Sequence, residues 1–193
     1  MKPLIVFIFS FLTLSTFGQT NNKSENIQEN DWYKLERKEL GFKIEFPKKP
    51  KSKILKTNPK HGYLHNMYNQ FIYAPSSKKD DNFAYLIYYS EYPDSLYNSE
   101  NINTDTLQRL YKSEINIDLD YFKGTLISEK TITLKGYSGV EFTINSKTWG
   151  IIISRYFLVK NKFYAIVVET DPSKVSNPSI SHFMRSFDLL IVN

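Results

Sequence analysis

The chain of 193 residues is 41% hydrophobic and 23% charged, which suits one globular domain with a real core and excludes a disordered or repetitive chain. It contains no cysteine, which excludes disulfides, thiol catalysis, cysteine-ligated zinc and the lipid-modified start of a lipoprotein. The net charge of +5, one unit of it from Lys2, is too modest to imply a nucleic-acid partner, and none is expected.

The first residues read as a secretion signal. Lys2 supplies the positive start, Leu4 to Leu14 the apolar core, and Thr16-Phe17-Gly18 a small-residue end, so cleavage is expected after Gly18. The apolar run is shorter than the ~20 residues a membrane span needs. The expectation is a signal peptide over 1–18, a secreted or periplasmic product, and no stable membrane span after cleavage. Gln19 to Asn30 is polar with one aliphatic residue, so 19–31 reads as a disordered lead and 32–193 as a single domain.

Within that domain, Trp32–Glu36 and Phe42–Phe46 are expected as strands around a turn at Arg37–Gly41, with Gly41 suited to a positive φ. Phe42, Ile44 and Phe46 alternate with Lys43 and Glu45, which places the three apolar residues on one buried face. Pro47 and Pro50 lack backbone donors and end that strand. Tyr63–Tyr73 and Phe83–Tyr89 are further strands, separated by a polar loop over Pro75–Asn82.

The period then changes. Leu107, Leu110, Tyr111, Ile115 and Leu119 lie on one helical face, with Asp105 and Gln108 spaced as a capping box and Gly124 suited to the helix end. Four strands follow: Thr125–Leu134, Tyr137–Ser146, Trp149–Val159 and Phe163–Thr170. Hairpin turns are expected at Lys135-Gly136 and Asn161-Lys162. Asn177-Pro178 reads as an N-cap followed by proline at the first helical position, opening a short helix to about Arg185, and Phe187–Val192 as a closing strand. Strands dominate and their connections are short. This predicts an α+β fold, an antiparallel sheet flanked by helices.

Several residue patterns could carry chemistry. His61 and His65 would share one face of a strand and are the candidate metal ligands, but no third ligand lies near them in the sequence; two partly exposed histidines are the favoured reading. Ser76–Lys79 matches S-x-x-K, yet it sits in a polar loop without its companion motifs. Asp118 and Asp120 read as the solvated end of a helix, with no second acid in an apolar pocket beside them. Lys48, Lys49, Lys51 and Lys53 form a basic run that is either a docking edge or, as favoured, protection of a strand edge. Tyr85 and Tyr89 would face opposite to Tyr88 and Tyr92, giving cross-strand packing or an exposed aromatic surface. Asp94-Ser-Leu96 and Asp105-Thr-Leu107 match a short acceptor for O-glycosylation.

Five features together carry a family likeness: F-x-I-x-F-P-x-x-P at Phe42–Pro50, Y-x-x-Y-P at Tyr89–Pro93, G-x-x-G-V-E-F at Gly136–Phe142, the aromatic pair Arg155–Val168, and F-x-x-S-F at Phe183–Phe187. The chain resembles the Mog1/PsbP-like superfamily, in particular its small exported bacterial members. The resemblance implies an α/β/α sandwich and no particular activity. Its better-known members are non-catalytic: one stabilises a photosynthetic complex, another binds a small GTPase. The expectation is an exported, non-catalytic binding or accessory protein without a cofactor, acting on a protein or envelope component. The alternatives are a hydrolase-type enzyme whose residues meet only in space, and a metal module through His61 and His65. In a titration with zinc or copper, wild type and His65→Ala should bind equally; a loss in the variant would establish the metal module.

Overall fold

The structure is a computed structural model and describes residues 32–56, 67–76 and 80–190. Its strands are β1 (Tyr33–Arg37), β2 (Phe42–Phe46), β3 (Lys51–Lys56), β4 (Met67–Tyr73), β5 (Asn82–Glu91), β6 (Gly124–Leu134), β7 (Tyr137–Ser146), β8 (Gly150–Val159), β9 (Lys162–Thr170) and β10 (Asp188–Leu189). Its helices are α1 (Thr104–Phe122) and α2 (Pro178–Ser186). All of them belong to one compact unit spanning Asp31–Asn193.

Two sheets form where the sequence suggests one. Seven strands pair antiparallel in the order β3-β4-β5-β9-β8-β7-β6, while β1, β2 and β10 make a separate three-stranded sheet. Pro47 and Pro50 explain the division. They stop β2 after Phe46 and let the chain restart as β3 in the other sheet. β3 itself is not evident in the sequence, because its lysines hide the alternation. It is an edge strand paired only to β4, and exposed Lys51 and Lys53 lie along it, the arrangement expected of a protected edge.

The large sheet is covered on both faces. Against one face lie β2 and α2, through Phe42, Ile44, Phe46, Ile180 and Phe183, which meet Tyr85, Tyr89 and Tyr164. Against the other lies α1, through Leu110, Tyr111, Ile115 and Phe122, which meet Phe142, Tyr156 and Val167. The two tyrosine sets of β5 therefore point to opposite cores, and neither is exposed: Tyr85 and Tyr89 lie under β2 and α2, Tyr88 and Tyr92 under α1.

The termini of α1 depart from expectation at both ends. Asn103, not Asp105, is the N-cap, its side chain accepting from the Thr106 amide at 2.8 Å. Lys123, not a glycine, takes the left-handed conformation at the C-terminus, with φ of 50°. Gly124 begins β6, where a Cβ would stand 2.3 Å from Ile144 Cγ2, so its lack of a side chain serves close strand approach. Lys135 and Gly136 both have positive φ, 49° and 87°, as the hairpin between β6 and β7 requires. The β8–β9 turn is Lys160-Asn161, one residue earlier than expected, with Lys160 at φ 53°. The Asn177 cap of α2 is as expected and accepts from the Ile180 amide at 3.2 Å.

Packing of β7 on β8 is tight at Gly139, where an added Cβ would meet two Phe157 ring carbons and the Tyr156 carbonyl oxygen, all at 2.5 Å. Gly139→Ala should destabilise the fold by about 1–3 kcal/mol, read by chemical denaturation. A variant as stable as wild type would show that this strand pair is looser than the contacts imply.

Candidate functional site

Helix α1 does not cover its face of the large sheet evenly. The Tyr111 hydroxyl accepts from the Leu158 amide at 2.9 Å and donates to the Ser138 carbonyl at 2.8 Å. At the other end, the Ser146 hydroxyl donates to the Phe122 carbonyl at 2.6 Å. These bonds hold α1 over β7 and β8. Between the helix and β3, β4 and β5 a cavity of about 440 Å³ remains, within the range of small-molecule sites.

Strand register supplies the floor. Lys53, Gln70, Tyr88, Ala165 and Tyr156 are direct neighbours in sequence across five strands, β3-β4-β5-β9-β8. Four of the five are polar, in a face that is otherwise largely apolar. Ala165, the small member between two tyrosines, leaves room above the sheet. Helix α1 supplies the roof through Glu114, Ile117, Asp118 and Tyr121. Glu114 and Asp118 are one turn apart and so share a side of the helix.

The acids are held by tyrosines. The Tyr92 hydroxyl donates to Glu114 Oε1 at 2.8 Å, and the Tyr156 hydroxyl donates to Asp118 Oδ2. On the sheet, Gln70 Nε2 donates to the Tyr88 hydroxyl at 2.9 Å, while Gln70 Oε1 is buried with no partner among the described residues. Gln70 as a whole is only 5% exposed. Such an orphaned acceptor is uncommon in a folded protein and costs free energy unless something else satisfies it.

Electrostatics follow from this burial. Desolvation pushes the Asp118 carboxyl up to about 7; the Tyr156 hydroxyl pulls it down and the neighbouring Glu114 charge adds to the rise. Asp118 keeps partial exposure because it lines the cavity, so it is shielded from bulk water yet open to a ligand. Burial also raises Glu114, against the pull of Tyr92, and raises Glu169, which sits on the same face of β9. The tyrosines rise as well, Tyr88 and Tyr156 through burial and then the nearby acids, so all stay neutral.

This corrects the sequence reading of Asp118. It is not a solvated helix end, and a second acid does stand beside it. Asp120, two residues on, is exposed as expected. A signal was present: Tyr111, Glu114 and Asp118 continue the buried face at spacings of three and four. The candidate metal ligands His61 and His65 lie outside the described residues, as does most of the S-x-x-K match. Among the described residues no group of three or more His, Asp or Glu could hold a metal ion. Lys48, Lys49 and Lys51 are exposed and make no ion pair among the described residues; Lys53 alone of the basic run reaches the cavity, at its rim. His182 is half-exposed in α2, stacked on Trp32 at 4.0 Å with Nε2 2.7 Å from Glu45 Oε2.

An antiparallel sheet with a helix on each face defines this as an α+β protein, and its fold is like that of PsbP. The chain is similar to the cyanobacterial PsbP protein CyanoP from Synechocystis sp., with a TM-score of 0.51 and 10% identity, over 85% of this chain and 95% of that one. It is also similar to PA94, a Pseudomonas aeruginosa protein of unknown function, with a TM-score of 0.41 and 11% identity, over 84% of this chain and 96% of that one. No protein-family model matches the sequence, and no curated protein matches it. At such identities the likeness is one of fold, and function must be argued from the site.

The Asp118 shift has a consequence for stability. Folding raises its affinity for a proton above that of the unfolded chain, so its contribution favours the folded state at low pH. That contribution is lost as pH rises from 3.8, its ordinary value, to about 7. In melting curves across this window, Asp118→Asn should gain stability relative to wild type as pH rises, and the gap should level off above it. A constant gap would show that Asp118 is not desolvated.

Proposed function

We propose that the protein is exported by a signal peptide cleaved after Gly18 and acts as a non-catalytic binding protein whose small-molecule ligand occupies the cavity under α1. The observation that carries this reading is the unmatched Gln70 acceptor lining a cavity in a fold that is otherwise closely packed. A site without a ligand would leave that group unsatisfied for no gain. On this reading the cavity is the binding site, and the lysine run is not needed as a docking edge. Lys48, Lys49 and Lys51 are read as edge protection. No helix among the described residues is long and apolar enough to cross a membrane.

One observation favours an enzyme as the second reading. Asp118, held near neutrality beside Glu114, is suited to proton transfer at ordinary pH. The two readings differ in what leaves the site: a binding protein releases its ligand unchanged, an acid–base enzyme does not.

Purification from the expressing cell tests the proposal. The mature chain should begin at Gln19, by N-terminal sequencing. Small molecules released from wild type by denaturation should include one that is missing from Ala165→Leu, whose added carbons fill the cavity between Tyr88 and Tyr156. Identical release from both proteins would rule the cavity out as the site. Recovery of a chemically altered product after incubation with that molecule would favour the enzyme.

A further inference from the structure

We infer that the cavity takes a primary amine, its ammonium head held by Gln70, Glu114 and Asp118 and its carbon body lying along the aromatic wall. The inference rests on the cavity being the binding site, and it names the ligand chemistry.

The hydrogen-bond inventory points this way first. Tyr92 and Tyr156 have given their hydroxyl protons to the two carboxyls, and Gln70 Nε2 has donated to Tyr88. Gln70 Oε1 and the second oxygen of each carboxyl remain without partners among the described residues, and all three are acceptors. Donors remain in the Tyr88 hydroxyl proton and at the exposed rim, in Lys53 and Tyr121. A primary ammonium offers three donors and no acceptor, the complement of those three acceptors. A quaternary ammonium offers none.

Charge points the same way. From α1 the site is faced by Glu114, Asp118 and Tyr121; from β4, β5 and β8 by Tyr68, Tyr88 and Tyr156; from the segment after β5 by Tyr92. Glu169 of β9 adds a third acid on the same face, close enough to raise Tyr88. Against these acids the lining supplies one cation, Lys53, exposed at the mouth. Two carboxyls in a desolvated site cost free energy when ionised alone, and a cation between them removes that cost. The tyrosine ring faces add attraction for a cation, and Leu55, Ile117 and Val167 offer apolar contact for its body. Binding should then drive protons off the two acids, so affinity should rise with pH while the amine stays protonated.

The test is calorimetric titration of the purified protein with 2-phenylethylammonium chloride, 2-phenylethanol and glucose. The ammonium should bind at least about tenfold more tightly than the alcohol, and its affinity should rise severalfold between about pH 5.5 and about pH 7.5. Its binding heat should differ between phosphate and Tris, because protons are released to the buffer. Asp118→Asn should weaken binding about tenfold and remove most of the pH dependence, and Gln70→Leu should weaken binding at every pH. Circular dichroism checks that both variants fold. Equal binding of ammonium and alcohol, or an affinity that falls as pH rises, overturns the inference. Binding of the alcohol or glucose without the ammonium overturns the amine while keeping the cavity as the site, provided that Ala165→Leu abolishes it. If no probe binds and Ala165→Leu releases the same small molecules as wild type, both the inference and the cavity reading fail.

Discussion

The central strands of the large sheet have no face left for water. Along β5 and β9, Tyr85, Ile87, Tyr89, Tyr164, Ile166 and Val168 enter one core, while Ala84, Leu86, Ala165 and Val167 enter the other. Burying a large apolar side chain contributes about 1.5–3 kcal/mol, so removing either cover would forfeit many such terms. Both outer layers are therefore obligatory. A chain without cysteine relies on this double burial, and the high aromatic content supplies the bulk to fill two cores from one sheet. The same constraint explains the separate small sheet: β2 must lie across the large sheet, not beside it, for Phe42, Ile44 and Phe46 to be buried.

The cavity is the place where that rule is relaxed. α1 is fastened over β7 and β8, and one helix is too narrow to shield seven strands. At the uncovered end the sheet presents Lys53, Gln70 and Tyr88 where apolar side chains would close the gap. Glu114 and Asp118 face the same space from a helix whose other inward residues are apolar. Polar groups from four strands and one helix thus gather at the least covered point of the sheet. A fold selected for packing alone would not place them there.

Local chemistry was legible wherever it was complete within a few residues. Asn177-Pro178 announced α2, Lys135-Gly136 announced a hairpin, and the alternation in Phe42–Phe46 announced a buried face. Long-range arrangement was less so. β3 escaped because Lys51 and Lys53 occupy its positions beside an open edge, where alternation need not be hydrophobic. The second sheet escaped because pairing partners are set by β10, far along the chain. Asp118 was misread because its surroundings come from Tyr156 and the sheet, far along the chain, while Asp120 two residues on is exposed. Gly124 was given the wrong role, since its closeness to Ile144 depends on a strand that follows the hairpin. The floor of the cavity was illegible for a related reason. Its five residues are neighbours only through register.

The fastening of α1 has a mechanical meaning. Gly139 and Phe157 are the last paired residues at one end of the β7–β8 ladder, and Ser138 and Leu158 stand one step beyond. The Tyr111 hydroxyl sits between the Ser138 carbonyl and the Leu158 amide, taking one bond and giving the other. A helix side chain thus serves as a rung of the sheet. Lifting α1 would strand two backbone groups and fray the strands beneath it. The helix is consequently no hinged lid, and traffic into the space below it must pass the rim at Lys53 and Tyr121 while the roof stays in place.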